Sequence, residues 1–428
     1  MIEAQENKMN ARIEKLLLQI PNGVAILSSG SVGKNSREME DNYRTSSYFY
    51  YLTGITEANV IAIFSNVHPQ HRYILFWNEP TERQKIYMGM YKTPEDLRKE
   101  AGADAVYPLS DFENKLSEYL ENASTLYYTM FLDEKIDKIV LAQREQLVHF
   151  RSLSFSKQYP SRIDDLENII EDMRLCKDDE ELKNIRQAIK ITQQGLEAVK
   201  KQVHSGMTEK EVEAILSYQY TVLGARGVSF HTIAGSGTNA TILHYEKNSG
   251  VLKDGDLLLI DTGAEYNYYC ADVTRTIPVS GKFTPAQQEL YNLVLEMQKE
   301  SIATIYPGAE ATAFNHAAIK VVSEFLHKKG LVQASTEEII EKKLYLPFYP
   351  HGTGHWLGLD VHDVGRYYQN GKPITLKPGM IITVEPGIYF SPTLKNVPKE
   401  YQGIGIRIED DVLVTETGNE ILTRDIPK

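Results

Sequence analysis

Two aspartates, one closing a fully apolar strand and the other inside the next strand, restrict the local structure severely. They are Asp261 and Asp272, eleven positions apart in DLLLIDTGAEYNYYCADVTRTIPV. If they face each other across an antiparallel hairpin, Tyr266 and Asn267 form a two-residue turn, a common hairpin length. Opposed residues share a face, with Cβ atoms about 4.5–5.5 Å apart. Two carboxylates this close inside an apolar sheet repel each other and lose hydration unless a cation lies between them.

The pair alone leaves a second interpretation open, in which both aspartates lie on an edge strand or turn and face water. Two further acids favour a shared site. Glu385 closes the strand MIITVE before a Pro-Gly turn, and Glu409 lies in GIGIRIED. Isoleucines alternate there with Arg407 and Glu409, so the strand period places Arg407 and Glu409 together on the opposite face.

Four of the eleven histidines accompany these acids. HGTGHWLGLDVHD carries His351, His355 and His362, and His244 lies in AGSGTNATILHY. A single histidine is more often structural than a ligand, but four of them beside strand-end acids favour a site. Four carboxylates and one imidazole form a mostly oxygen ligand set, which suits Mn²⁺, with Co²⁺ or Zn²⁺ as alternatives. Two such ions about 3.5–4 Å apart can activate water for hydrolysis at neutral pH.

The chain of 428 residues is long enough for two domains. Its first part alternates β-rich runs with helical candidates, at 24–28, 60–65, 73–77, 94–101 and 111–121. This alternation indicates a smaller α/β domain over residues 1–172. A charged helical connector leads into residues 173–428, where we expect an α+β domain whose helices cover one face of a curved sheet.

Local signals place the elements of this second domain. A long amphipathic helix ends at Ser205-Gly206. Two more helices begin at Thr208, with Glu211 completing a capping box, and at Thr284, with Gln287 in the same position. Strands are expected at 256–262, 270–279, 380–385 and 403–414.

Charge and cysteine content exclude several classes of protein. There are 46 Lys and Arg against 58 Asp and Glu, a net charge of −12, which repels phosphate backbones and anionic headgroups. We therefore expect neither nucleic acid nor membrane as a partner. Two cysteines are too few for a disulfide framework. Together with an N-terminus that lacks an apolar signal segment, they indicate a cytoplasmic protein.

Asp261, Asp272, His355, Glu385 and Glu409, in this order and in these motifs, resemble the complete ligand set of the pita-bread metallopeptidases. That family includes methionine aminopeptidase, prolidase and aminopeptidase P. The stretch DNYRTSSYFYYLTGITEANVIAIF resembles the start of an extra N-terminal domain that aminopeptidase P and some prolidases carry and methionine aminopeptidase lacks. Without the family, its tyrosines are better explained as core and interface residues.

The resemblance implies a role for each ligand. Asp261 would bind one metal ion and His355 with Glu385 the other, while Asp272 and Glu409 would bridge the two ions. Glu385 would also orient or deprotonate the attacking water.

The resemblance also implies roles around the metals. His362 would donate a hydrogen bond to the scissile carbonyl as negative charge develops on it. His244 and His351 would line the proline pocket and the far side of the peptide. Arg407 would either hold Glu409 or reach the substrate. Tyr389 has two equal interpretations, a functional neighbour of the ligands and a packed aromatic.

The function implied is removal of an N-terminal residue that precedes proline in small peptides. The alternatives are a prolidase restricted to Xaa-Pro dipeptides and, less favoured, a catalytically inactive binding module on the same fold. Similar aminopeptidases close the proline pocket with an aromatic residue from the N-terminal domain of a neighbouring subunit, and QKIYMG places Tyr87 where a larger indole is often found. We therefore expect a homodimer or homotetramer.

Overall fold

The computed structural model describes residues 2–31, 43–150 and 158–428. The chain divides into two compact units, Met1–Met173 and Arg174–Lys428. The first two residues of the stretch that resembles an extra N-terminal domain, 41 and 42, lie outside the described residues. Within the described ranges, no helix is both long enough and apolar enough to cross a membrane.

The first unit is built on one mixed sheet. Its strands are β1 (Gly23–Ser28), β2 (Ile61–Ser65), β3 (Tyr73–Phe76), β4 (Ala105–Tyr107), β5 (Thr125–Tyr127) and β6 (Arg162–Asp164). They lie in the order β4-β3-β2-β1-β5-β6, with β1 antiparallel to β2 and parallel to β5. The first three strands confirm the predicted β-rich runs.

The described part of the first unit also contains seven α-helices. They are α1 (Ile2–Gln19), α2 (Ser47–Thr53), α3 (Glu82–Met88), α4 (Pro94–Ala101), α5 (Phe112–Leu120), α6 (Glu134–Phe150) and α7 (Leu166–Arg174). Phe112 and Leu116 of α5 pack on Ile63 and Phe76 of the sheet in one apolar core. Helices α4 and α5 confirm the two predicted in this part.

The second unit contains the longer helices. They are α8 (Asp179–Gln202), α9 (Glu209–Val222), α10 (Pro285–Ala303), α11 (Ala313–Lys328) and α12 (Thr336–Glu341). Both predicted capping boxes are confirmed, since the Thr208 and Thr284 hydroxyls accept hydrogen bonds from the amides of Glu211 and Gln287. These reciprocal bonds satisfy amides at the first turn that have no partner within the helix.

The strands of the second unit are short. They are β7 (Gly227–Val228), β8 (Ile233–Ser236), β9 (Leu257–Thr262), β10 (Ala264–Tyr266), β11 (Tyr269–Cys270), β12 (Val273–Pro278), β13 (Tyr368–Gln369), β14 (Lys372–Pro373), β15 (Ile381–Val384), β16 (Gly387–Tyr389), β17 (Gly405–Arg407), β18 (Asp410–Val414) and β19 (Asn419–Ile421). The predicted strands 270–279 and 403–414 are each interrupted. The interruptions contain Asp272 and Glu409, so these predicted ligands lie where regular pairing stops.

Helices α10 and α11 cover one face of these strands. Leu290 and Val294 of α10 pack with Ile406 and Ile408 in the main apolar core. The isoleucines of GIGIRIED therefore face the helices, as their alternation predicts. The mixture of helices and antiparallel strands confirms the α+β class of this unit.

Candidate active site

The hairpin that carries the two aspartates is shifted from its predicted register. Asp261 on β9 is paired with Thr274 on β12, not with Asp272. The turn is formed by Asn267 and Tyr268, at φ 48° and 68°, one residue later than predicted. A two-residue hairpin turn of type I′ needs positive φ at both positions, which asparagine tolerates well. The two aspartates still share a face, because Asp272 and Thr274 are one strand period apart.

Glu385 and Glu409 lie opposite each other at a break between two ladders. Strand β15 is paired with β18 up to Val384 and Asp410, and β16 is paired with β17 from Gly387 and Arg407. The same register continued across the break sets Glu385 against Glu409. The break therefore brings together two acids that are 24 positions apart in the sequence.

His355 joins these acids from a Gly-rich loop. Its Nε2 lies 3.5 Å from Asp272 Oδ2 and 3.5 Å from Glu385 Oε1. Its Nδ1 is 3.0 Å from the Trp356 carbonyl oxygen, so Nδ1–H donates there and Nε2 keeps its lone pair for a ligand. A Cβ on Gly354 would come within 1.8 Å of the Thr383 carbonyl oxygen, so this close approach of the loop requires glycine.

All nine predicted site residues line one cavity of about 400 Å³: His244, Asp261, Asp272, His351, His355, His362, Glu385, Arg407 and Glu409. Apolar side chains complete the wall, among them Phe230, Ile233, Leu243 and Val361. A cavity of this size, in which polar groups converge beside an apolar wall, is typical of a small-molecule or peptide site.

The acids are electrostatically unfavourable without a cation. Burial, followed by the charges of Asp261 and Glu385, raises the pKa of Asp272 well above its ordinary range. Burial and the neighbouring Asp272 do the same for the pKa of Glu409, and burial raises the pKa of Glu385 to about 7. Like charges brought together away from water favour protonation or cation binding.

The donor atoms fit divalent ions. Ligand atoms of Asp272, His355 and Glu409 all lie within 4.8 Å of one another. The buried Oδ1 atoms of Asp261 and Asp272 accept no hydrogen bond from any residue that the structure describes. A buried carboxylate oxygen without a donor is costly, and a metal ion in this cluster would satisfy both.

Arg407 does not hold Glu409, which was one of its two predicted roles. Its Nη2 donates to Asp261 Oδ2 at 2.6 Å and its Nη1 to the Tyr389 hydroxyl at 2.9 Å. The Tyr389 hydroxyl lies 2.8 Å from His351 Nε2. Tyr389 thus links Arg407 to His351, and it belongs to the polar network of the site rather than to a purely apolar core.

Two of the cavity histidines, His351 and His362, favour the neutral form. Burial and the charge of Arg407 lower the pKa of His351 to about 3. Its Nδ1 lies 2.7 Å from the Gly352 carbonyl oxygen, so Nε2 accepts the hydrogen bond of Tyr389. Burial and the neighbouring His355 lower the pKa of His362, whose ring centroid is 4.1 Å from that of His355. His244 is exposed and lines the same cavity.

Three contributors to the site were not predicted. The Thr274 hydroxyl donates to Glu409 Oε2 at 2.8 Å, Asp411 Oδ2 accepts from the Asp272 amide at 3.3 Å, and Gln298 contacts the backbone beside two of the predicted ligands. Thr274 could have been predicted from the sequence, because it lies two residues after Asp272 and a strand places such residues on the same face. Gln298 had none, since a buried glutamine on an amphipathic helix has no characteristic sequence pattern.

Comparison with known proteins places this site in a family. The sequence model for metallopeptidase family M24 matches residues 183–416, and that for the aminopeptidase P N-terminal domain matches residues 9–127. The Xaa-Pro aminopeptidase of Escherichia coli is 35% identical over 100% of this chain and 97% of that protein.

Solved structures of aminopeptidase P resemble this chain over nearly its whole length. Aminopeptidase PepP from Pseudomonas aeruginosa has a TM-score of 0.94 at 34% identity, with 99% of this chain and 96% of that chain covered. A Zn-substituted E. coli aminopeptidase P in complex with product has a TM-score of 0.92 at 35% identity, over the same shares of each chain. The predicted family and the two-domain architecture are confirmed. This chain belongs to metallopeptidase family M24 and carries an aminopeptidase P N-terminal domain.

Proposed function

We propose that this chain is a metal-dependent Xaa-Pro aminopeptidase, which hydrolyses the bond between an N-terminal residue and a following proline. The observation that carries the proposal is the convergence of five metal-ligating side chains and three histidines on one cavity. Similarity over the full length to a protein named Xaa-Pro aminopeptidase selects this activity within the family. A prolidase is not favoured, because the relative that matches this chain over its full length is named Xaa-Pro aminopeptidase.

We assign Asp261 to one metal ion, His355 and Glu385 to the other, and Asp272 with Glu409 to both. Bound divalent ions would supply Lewis-acid activation of the attacking water and the scissile carbonyl. The spare oxygens of Asp261 and Asp272 support this arrangement.

The remaining steps belong to the chain's own side chains. Glu385 takes the proton of the attacking water and returns it to the proline nitrogen, because a carboxylate within reach of both atoms can act first as a general base and then as a general acid. His362 donates from its ring to the carbonyl oxygen as negative charge develops. Arg407 holds Asp261 in place, while His351 and His244 contact the peptide.

Proline in the second position demands a dedicated pocket. Its nitrogen has no N–H and belongs to a ring, so a cleft that binds an extended backbone through that donor loses a hydrogen bond. The apolar side chains on the cavity wall, such as Leu243 and Val361, offer surface for the ring. The His244 and His351 rings lie on the same cavity and offer polar contacts to the carbonyls beside it.

Mn²⁺ is the metal we propose, with Co²⁺ or Zn²⁺ as alternatives, because four of the five ligands are carboxylates. We also propose a homodimer or homotetramer in the cytoplasm. Helix α3 supports self-association, since it has no buried residue and Tyr87 is 78% exposed. In this arrangement Tyr87 of a neighbouring subunit closes the proline pocket. We propose residues 1–172 as the aminopeptidase P-like domain and 173–428 as the catalytic domain.

The test is hydrolysis of matched peptides by protein loaded separately with Mn²⁺, Co²⁺ or Zn²⁺. We expect Xaa-Pro-Yaa tripeptides to be cleaved before proline and Xaa-Ala-Yaa controls to resist. Turnover of Xaa-Pro dipeptides alone would refute the aminopeptidase and support a prolidase. Absence of stoichiometric metal after loading would support the inactive binding module. Light scattering of Tyr87→Ala against the wild type tests the oligomer.

A further inference from the structure

A buried amide on helix α10 contacts the backbone on both sides of the ladder break. Gln298 is 1% exposed, and its Nε2 donates to the carbonyl oxygens of Val384 and Ile408, each at 3.1 Å. These carbonyls belong to the residues directly before Glu385 and Glu409. One side chain therefore ties together the two backbone segments that present these acids.

The ladder itself creates the need for this contact. The register of β16 and β17 sets Pro386 against Ile408, and the Ile408 amide donates to the Pro386 carbonyl oxygen at 3.3 Å. In an antiparallel pair of this kind, the opposite residue returns the bond through its own N–H. Pro386 has no N–H, so the ladder leaves the Ile408 carbonyl without a donor. The Gln298 amide supplies that donor.

The Gln298 side chain is held in one orientation. Its two N–H groups serve two carbonyls, and its Oε1 accepts from Lys428 Nζ at 2.6 Å. Lys428 also pairs with Asp410 Oδ2 at 2.5 Å, beside Glu409. Reversal of the amide would set its oxygen against two carbonyl oxygens and its nitrogen against an ammonium group, so the observed orientation is strongly favoured.

We propose that Gln298 is a positioning residue for the metal centre, which fixes the separation of the backbone segments that carry Glu385 and Glu409. Without its donors, the Val384 and Ile408 carbonyls lose their common partner, and the two segments can move independently. The carboxylates would then no longer be held at one separation for the ions. Loss of such an outer partner typically weakens metal binding about 10–100-fold. This inference rests on the proposed function only in requiring that these acids bind metal.

The experiment compares Q298M with Q287M. Methionine keeps the length of glutamine but has no N–H donor. Gln287 is a matched control, because it lies on the same helix, is 6% exposed and donates to the Gly255 carbonyl oxygen at 2.8 Å, which precedes no ligand. We expect Q298M to raise the Mn²⁺ Kd about 10–100-fold by calorimetry and to reduce the increase in Tm on metal loading. Q287M should lower the Tm of both forms equally and leave the Kd within about twofold.

A Mn²⁺ Kd of folded Q298M within twofold of the wild type overturns the proposal. If Q298M does not fold, the same measurements are made on Q298N, whose amide is one methylene too short to reach both carbonyls. A Mn²⁺ Kd of Q298N within twofold of the wild type then overturns the proposal. Wild-type protein that binds Mn²⁺ but cleaves no Xaa-Pro peptide refutes the proposed substrate and leaves the role of Gln298 standing. An unchanged Kd in Q298M refutes the role of Gln298 and leaves the proposed activity standing.

Discussion

The acids and the histidines of the cavity are supported by different kinds of structure. Asp261 lies within a paired strand, and Asp272 and Glu409 each lie in a two-residue gap between paired segments. His351 and His362 lie in a loop outside the described strands and helices, and so does His244. Asp261, Asp272 and Glu409 are buried, with Glu409 1% exposed, whereas Glu385 and the histidines are partly exposed.

The difference in support between the acids and the loop histidines suits two tasks, metal binding and peptide binding. A gap of two residues inside a ladder is held from both sides, so an acid there is fixed even though burial and like charges oppose its ionised form. A loop histidine has fewer fixed neighbours and can adapt to peptides of different sequence. We therefore expect changes to the acids to act on metal affinity, and changes to His244, His351 and His362, which we assign to no metal, to act on turnover with the metals retained.

Among these changes to the acids and the histidines, Asp272→Ala should have the largest effect on metal content and on kcat/KM. It removes an oxygen ligand that we assign to both ions, so the metal content should fall and kcat/KM should drop by about 10³-fold or more, as for a group on which the whole mechanism depends. Metal analysis and peptide hydrolysis measure the two effects. Asp137→Ala removes a buried acid, 8% exposed, from the first unit and should leave the metal content unchanged. Full turnover in Asp272→Ala would refute the assignment of this ligand.

His362→Ala tests the expectation that the loop histidines act on turnover and not on metal affinity. Loss of a donor to the developing oxyanion should lower kcat by about 10²–10³-fold, while the Mn²⁺ Kd stays within about threefold, because His362 is assigned to no metal. His231→Ala is the matched control, since His231 lines the same cavity and has no assigned role. A large loss of metal affinity in His362→Ala would contradict the division between acids and histidines.

The sequence predicted the members of the site better than their contacts. Alternation and strand-end positions are local signals, and they indicated the four acids among the proposed ligands, whereas His355 was assigned through the family resemblance. The hairpin register was wrong because it depends on which two residues adopt positive φ, and Asn267 was the available clue. The partner of Arg407 is Asp261, 146 positions away, and Gln298 reaches its carbonyls over 86 and 110 positions. The Arg407 contact follows from how two distant strands come together, and the Gln298 contacts follow from how helix α10 packs on the strands. No local sequence pattern encodes either arrangement.

Metal binding should depend on pH through the acids of the site. In the metal-free protein the raised pKa values of Glu385, Asp272 and Glu409 mean that bound protons compete with the ions. The Mn²⁺ Kd should therefore tighten between pH 6 and 8, by about tenfold per pH unit for each proton released. Calorimetry in buffers of different ionisation enthalpy counts these protons. Binding without proton release would contradict the raised pKa values.

The same shifts set the sign of the stability change. A group whose pKa is higher in the folded protein than in the unfolded chain stabilises the fold at low pH, and this contribution is lost as the pH rises through the folded pKa. For Glu385 that pKa is about 7. The Tm of metal-free protein should consequently fall between pH 5 and 8, and saturating Mn²⁺ should remove most of this decrease. A rising Tm in metal-free protein over this range would be the contrary result.

The smallest effect is expected from an acid that supports a histidine loop. Glu209 is fully buried, and its carboxylate accepts from the Ser236 amide at 2.7 Å, the Asn239 side chain at 2.9 Å and the Gly250 amide at 2.6 Å. These contacts hold both ends of the segment that carries His244. Glu209→Gln turns one acceptor into a donor facing other donors, so the segment should loosen and kcat/KM should fall about fivefold to tenfold, the value of roughly one hydrogen bond.

The decisive comparison for Glu209 is a double-mutant cycle with His244→Ala. If Glu209 acts through His244, Glu209→Gln should change kcat/KM less than about twofold in the His244→Ala background, because interacting residues give non-additive effects. Glu211→Gln, on the exposed start of the same helix, should be neutral in both backgrounds. Full additivity would mean that Glu209 supports the fold but not His244, and then the loop histidine would be held by its own segment rather than by helix α9.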